Sequence, residues 1–363
     1  MDMHNDPEVP YQHLPPLPPA QNIETVPVLK ATIRAARALE GANIAANLLP
    51  NPHILIQAVP LLEAQASSEI ENVVTTNDEL FRAAHNVQSP SPATKEALQY
   101  SRAMYAGYET IQQKPLTTNT AKLVCSIITG ITMDVRSEAG TYIGNPVTKA
   151  RIYTPPENRD VILGHLAQWE TFLNEDDSMD PLIKLALLHY QFEAIHPFSD
   201  GNGRTGRILN VLYLVQEGLL ERPITYLSGY IVAHKDEYYR LLGGVTQRDE
   251  WEPWVLFMLD AVRVTSTWTS NLVYSIREQI DATVSILHKE GLPARDFAYI
   301  LFEKPYLRYD DVMEHLGVSR PTASKYVQKL AQLGVVEPTK AGRSVLFINK
   351  KYLSLLFDTR LPQ

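Results

Sequence analysis

Cysteine is almost missing from this chain of 363 residues: Cys125 stands alone. One thiol excludes an internal disulfide framework, and no Cys/His spacing of the zinc-site kind occurs. Both absences fit a reducing compartment, so a cytoplasmic location is expected. No run of about 18 apolar residues exists, and no helical membrane span is expected. The opening stretch, MDMHNDPEVPYQHLPPLPPA, lacks the apolar region of a signal peptide. An excess of positive charge is lacking too. The 33 Lys and Arg stand against 41 Asp and Glu, a net of −8, which excludes a chain coated for nucleic acid. The remaining composition, 45% hydrophobic and 20% charged, is that of a globular chain with two or three domains.

The expected class is mainly α. Residues 1–20, with LPPLPP, read as a proline-rich extended arm. Residues 21–113 read as an N-terminal helical region, with a helix over LIQAVPLLEAQASSEIENVV interrupted at Pro60 and a loop at 86–93. Helical patterns recur at 94–113 and 118–134. Tyr142, Ile143, Ile152 and Tyr153 bracket a Gly-Asn-Pro turn signal and predict a β-hairpin. Asp180-Pro181 is an N-cap followed by proline, opening a helix that runs out near His196. Another helix begins around Gly203 and reaches Gly218. Beyond a long helix ending near Gly291, the segment 309–338 has helix-turn-helix rhythm with Gly317 in the turn, followed by two short strands around Ala341-Gly342. That is a winged-helix pattern, expected over 276–363. Between Lys304 and Lys351 nine Lys/Arg face four Asp/Glu, a local net of +5.

Residues 196–207, HPFSDGNGRTGR, concentrate the chemistry. Gly201-Asn202-Gly203 allows backbone conformations closed to bulkier residues and leads into a helix, so its N–H groups form an anion nest. Arg204 and Arg207 lie three apart on one helix face, a pair suited to a polyphosphate. Asp200 beside phosphates needs a cation between, and Mg²⁺, with Mn²⁺ as a substitute, takes one carboxylate plus phosphate oxygens. His196 has the unperturbed pKa of a general base near neutrality. These parts describe phosphoryl or nucleotidyl transfer to a hydroxyl.

The stretch resembles the Fic-family signature, H-x-F-x-[D/E]-G-N-G-R-x-x-R, at every specified position. Eight such positions match by chance on the order of 10⁻¹⁰ per window. The resemblance implies a Fic-type helical bundle over 114–275 with a β-hairpin flap. It implies a homodimer, and transfer of AMP from ATP to a Ser, Thr or Tyr hydroxyl of a target protein or of the chain itself. Carried over, His196 takes the hydroxyl proton, Phe198 anchors the loop, and Asp200 holds the metal. Gly201, Asn202 and Gly203 cradle the α- and β-phosphates, Arg204 the β-phosphate region and Arg207 the γ-phosphate, with Thr205 and Gly206 in the same nucleotide site. The hairpin becomes the flap that clamps the target by strand-like main-chain bonds. Ala233 and His234 become the adenine side, although many relatives have Asn where His234 stands.

SSEIEN, residues 67–72, resembles the family's inhibitory pattern [S/T]-x-x-x-E-[G/N] through Ser67, Glu71 and Asn72. The resemblance implies an inhibitory helix over about 61–74, with Glu71 pairing Arg207 and denying it to the γ-phosphate of bound ATP. Two other readings stand beside an autoinhibited adenylyltransferase. One is a DNA-binding regulator with a nucleotide-sensing core, using Arg320, Lys325 and Lys329 of the winged helix. The other keeps the fold but removes AMP, or transfers another nucleotide or phosphocholine.

Overall fold

Thr25 accepts a hydrogen bond from the Val28 N–H and Pro27 sits in the first turn, so helix α1 starts at once and runs over Val26–Ala46. It opens a chain that is helical almost throughout in the computed structural model, which describes residues 6–144, 150–175, 178–341 and 344–362. Helix α2, His53–Ile70, follows. The interruption expected at Pro60 does not occur. Proline lacks the N–H that would bond the Ile56 carbonyl, and the Tyr105 hydroxyl donates to that carbonyl instead, so α2 passes through Pro60 intact. Asn72, at φ 62°, ends the helix: left-handed backbone there suits only glycine or a short polar residue, and it turns the Val73 N–H back onto the Ser68 carbonyl.

Helices α3 (Asn77–Ala84), α4 (Pro92–Ile111) and α5 (Thr118–Thr129) come next. α5 stops short of the expected 134 because Gly130 takes φ 75°. Strands β1 (Ile143–Gly144) and β2 (Arg151–Tyr153) pair antiparallel, with Ile143 opposite Tyr153, as the hairpin pattern predicts. The Asn145-Pro146 turn lies outside the described residues. Then follow α6 (Arg159–Asn174), α7 (Pro181–Ile195), α8 (Asn202–Gln216), α9 (Leu227–Ala233), α10 (Lys235–Arg248) and α11 (Trp251–Lys289). α7 is buried on nearly every side and mostly apolar, as a helix at the centre of a bundle must be. The Trp169 and Trp254 indoles, both buried, donate to its Leu188 and Ala186 carbonyls. Asp180 caps it through the Leu182 N–H.

The described part of the proline-rich segment, residues 6–20, holds neither helix nor strand and is packed against the bundle. The Tyr11 N–H donates to the Thr154 carbonyl just beyond β2, the Thr154 hydroxyl donates to the Pro7 carbonyl, and Gln191 on α7 donates to the Pro15 carbonyl. Tyr11 also meets the Tyr153 ring edge-on at 6.1 Å.

The C-terminal stretch contains α12 (Ala294–Glu303), β3 (Tyr306–Leu307), α13 (Tyr309–Leu316), α14 (Arg320–Gln332), β4 (Glu337–Ala341), β5 (Ser344–Ile348) and α15 (Lys350–Phe357). The strands form one sheet in the order β3-β5-β4, and Gly317, at φ 62°, turns α13 into α14. This arrangement is compatible with a winged helix; Gly342 of the expected strand turn lies outside the described residues. On α14, Lys329 pairs with Glu290 at 2.7 Å and Arg320 approaches Asp310 at 3.7 Å. No described helix is long and apolar enough to cross a membrane.

Candidate active site

The loop between α7 and α8 is built by its own residues. His196 caps α7 with φ 49°, a left-handed conformation. Phe198 is fully buried, which anchors the loop with about 1.5–3 kcal/mol of hydrophobic burial. The Asn202 carboxamide accepts from the Phe198 N–H and donates to the Phe198 carbonyl, both at 2.8 Å, so this side chain closes the loop and only its backbone faces a ligand. Gly201, at φ 78°, starts α8. Among the described residues, the first N–H groups of that helix, at Asn202, Gly203 and Arg204, have no protein acceptor, the arrangement that an anion at a helix N-terminus would use.

Arg136 holds the loop from outside. Its Nε donates to the His196 carbonyl at 2.8 Å and its Nη2 to the Pro156 carbonyl at 2.6 Å, tying the base of the hairpin to the loop. Burial, with Arg136 adding to it, pushes the His196 imidazole down to about 4. The ring is therefore neutral at physiological pH and able to accept a proton. Asp200 is exposed; one carboxylate oxygen takes the Gly201 N–H at 2.7 Å and lies 3.7 Å from the Arg204 guanidinium.

Two arginines occupy different surroundings. Arg204 is held by Glu96 from α4. Arg207 is buried, its Nε donating to the Ser67 hydroxyl at 2.8 Å and its Nη2 to the Ser67 carbonyl at 3.0 Å and to a Glu71 carboxylate oxygen at 2.7 Å. Burial raises the Glu71 pKa, but the attraction of Arg207 outweighs it and the carboxyl lies below its ordinary value. Gly203 leaves room for this contact: a β-carbon there would stand 2.5 Å from the Glu71 carboxylate and 2.9 Å from the Arg207 guanidinium, so the ends of those side chains would have to shift.

His196, Asp200, Gly201, Asn202, Gly203, Arg204 and Arg207 thus share one site with Ser67 and Glu71 from α2, and Asn72 serves it through its backbone turn. Thr205 and Gly206 do not face it. Thr205 is fully buried beside Cys125, and a β-carbon on Gly206 would strike Glu193 and Phe192 of α7. Ala233 and His234 line a separate cleft of about 640 Å³, with Gln65 and Glu69 on the opposite face of α2 and Thr359–Pro362 at its rim. His234 stacks on Tyr230 there.

Sequence reasoning missed Glu96, Arg136 and Glu193, because nothing near each in the chain announces a buried partner. Glu193 is half-buried near Arg207 with one carboxylate oxygen inaccessible and unpartnered, and desolvation pushes it from an ordinary 4.5 up to about 7. The folded state therefore holds this proton more tightly than the unfolded one. The resulting destabilisation is absent at acid pH and grows as pH rises through the interval from 4.5 to about 7. Relative to wild type, Glu193→Gln should gain on the order of 2–3 kcal/mol between about pH 5 and about pH 8. Urea unfolding of both proteins at each pH measures this; a constant difference would refute the titration.

The comparisons agree with the fold. Residues 29–109 match the Fic/DOC family N-terminal domain, 115–214 the Fic/DOC family itself, and 284–352 the C-terminal domain of SoFic-like protein adenylyltransferases. Protein adenylyltransferase fic-1 of Caenorhabditis briggsae is 38% identical over 89 residues, 24% of this chain and 16% of the relative. A probable protein adenylyltransferase of Aquifex aeolicus is 27% identical over 180 residues, 48% of this chain and 53% of the relative. The chain thus spans about half or less of these curated relatives. In fold, a Fic family protein from Desulfovibrio desulfuricans aligns with TM-score 0.60 at 21% identity, over 93% of this chain and 98% of that one. Fic-1 from Caenorhabditis elegans aligns with TM-score 0.52 at 19% identity, over 69% and 73%. With three matches that together span more than half of the sequence, and a complete signature in the α7–α8 loop, the chain belongs to the Fic/DOC family.

Proposed function

We propose that the protein is an adenylyltransferase that moves AMP from ATP to a hydroxyl side chain of a target protein or of itself, and that the arrangement described here is its resting state. The observation that carries the reading is Arg207, buried and held by Ser67 and Glu71 at the foot of a loop whose N–H groups are free to receive phosphate. The relatives named as protein adenylyltransferases support the reaction class.

Free N–H groups at 202–204 and the Arg204 guanidinium bind the phosphates and hold the α-phosphorus near His196. The hydroxyl oxygen bonds to the α-phosphorus, the bond to the β-phosphate oxygen breaks, pyrophosphate leaves, and the hydroxyl proton passes to His196. Phosphates arriving beside the imidazole raise its pKa from about 4 toward the range where a base works well. The exposed Asp200 carboxylate, next to those N–H groups, fits Mg²⁺, which takes its other ligands from phosphate and water. When bound, the ion neutralises phosphate charge. The hairpin, tied to the loop through Arg136, presents the target segment. Glu71 holds Arg207 away from the γ-phosphate, so ATP that binds adopts an unreactive pose.

Incubation with Mg²⁺ and ATP labelled at either the α- or the γ-phosphate tests the reading. Protein label from the α-position alone is the expected result; label from the γ-position alone would mean phosphorylation and refute it.

A further inference from the structure

We propose that Glu63 is the positioning residue that holds the inhibitory turn of α2 against Arg207; this rests on the autoinhibited reading above. Glu63, Ser67 and Glu71 are spaced four apart, so they form one stripe along α2. The lower two grip Arg207. The upper one is fully buried and ties α2 to two other helices: one carboxylate oxygen accepts the Ser228 N–H of α9 at 3.0 Å, and the other accepts the Ser228 hydroxyl at 2.5 Å and the Tyr100 hydroxyl of α4 at 3.3 Å.

A lone buried carboxyl is an expensive choice for a helix-packing position. Its desolvation pushes the pKa up to about 7, against the stabilising effect of its hydrogen bonds and of Arg207. An apolar side chain would pack α2 without that cost, but it would not fix the rotation of the helix about its axis. The two-pronged bond to Ser228 does. Turning α2 by one residue position, about 100°, swings Ser67 and Glu71 off Arg207. A second tie acts at the far end of the same turn, where the Lys235 ammonium donates to the Ile70 carbonyl at 2.7 Å, next to Glu71.

The test compares transfer of α-labelled AMP by four proteins: wild type, Glu71→Gly, Glu63→Ala and the double variant. Glu63→Ala removes all three hydrogen bonds to the carboxylate and should raise transfer about tenfold, as a bias of about 1.4 kcal/mol toward the closed pair is released. The double variant should be no faster than Glu71→Gly alone, since both changes free the same arginine. Glu63→Gln, which keeps an acceptor for the Ser228 N–H and donors for the hydroxyls, should stay within about twofold of wild type. If Glu71→Gly is fast while a folded Glu63→Ala is as slow as wild type, or if the two gains multiply, Glu63 only stabilises the fold and this proposal is wrong. If Glu71→Gly is itself no faster than wild type, the autoinhibited reading fails first, and this one with it. Where Glu63→Ala lowers the yield of folded protein, Glu63→Asp keeps the charge, loses the reach, and is read in the same way.

Discussion

His196→Ala should reduce AMP transfer by roughly 10²–10⁴-fold, the usual contribution of a general base, while Mg-ATP binding persists. Binding persists because the phosphate contacts come from the α8 N–H groups and Arg204, and the loop is anchored by Phe198, the Asn202 carboxamide and the bonds from Arg136 to backbone carbonyls. None of these uses the imidazole. One structural effect must be separated from the chemical one. His196 sits at φ 49°, where alanine is strained by about 1–2 kcal/mol. Asparagine tolerates that conformation better, so His196→Asn should show the same loss of transfer with less loss of thermal stability. Calorimetric titration with Mg-ATP, beside transfer rates of both variants, makes the measurement. Near-wild-type transfer by either would remove His196 from the mechanism.

The opposite effect is expected from Glu71→Gly: transfer, read as self-modification or as modification of a target, should rise by roughly 10–100-fold, which corresponds to about 1.4–2.8 kcal/mol of released bias. Glu71 ends α2 at φ −85°, so glycine there meets no backbone conflict. Arg207 keeps its bonds to the Ser67 hydroxyl and carbonyl, and the free guanidinium becomes available to a γ-phosphate. Without nucleotide the variant should melt below wild type, because a buried arginine has lost its closest charge. Mg-ATP should restore much of the difference by binding the folded state. Arg207→Ala in the Glu71→Gly background should cancel the gain. A Glu71 carboxylate with no regulatory part predicts equal rates for wild type and Glu71→Gly, and that equality would dismiss autoinhibition while leaving the family assignment intact.

Much of the site was legible before any coordinates, because its rules act within one turn of chain. Asp180-Pro181 caps α7 and Gly201 leads into α8, local preferences written in adjacent residues. The end of α2 falls earlier than the pattern predicts: the helix expected to reach 74 stops at Ile70, because Asn72 takes a left-handed conformation. The anion nest and the two arginines follow from spacing alone. The pairing of Glu71 with Arg207, 136 positions apart, could be named only through resemblance to a family. Other partners had no such help. Pro60 looked like a break, and it is not one because a tyrosine 45 positions later satisfies the carbonyl it orphans. Glu96, Arg136, Glu193 and Glu63 read as ordinary charged residues in helices and loops. A carboxylate in a helix has the same sequence neighbours whether it faces water or another helix, since burial is decided by which elements pack together. Sequence by itself determined the helices, the loop and the chemistry that loop can perform. Tertiary structure alone decided which charges lost their water and had to find each other, because desolvation depends on neighbours in space and not along the chain.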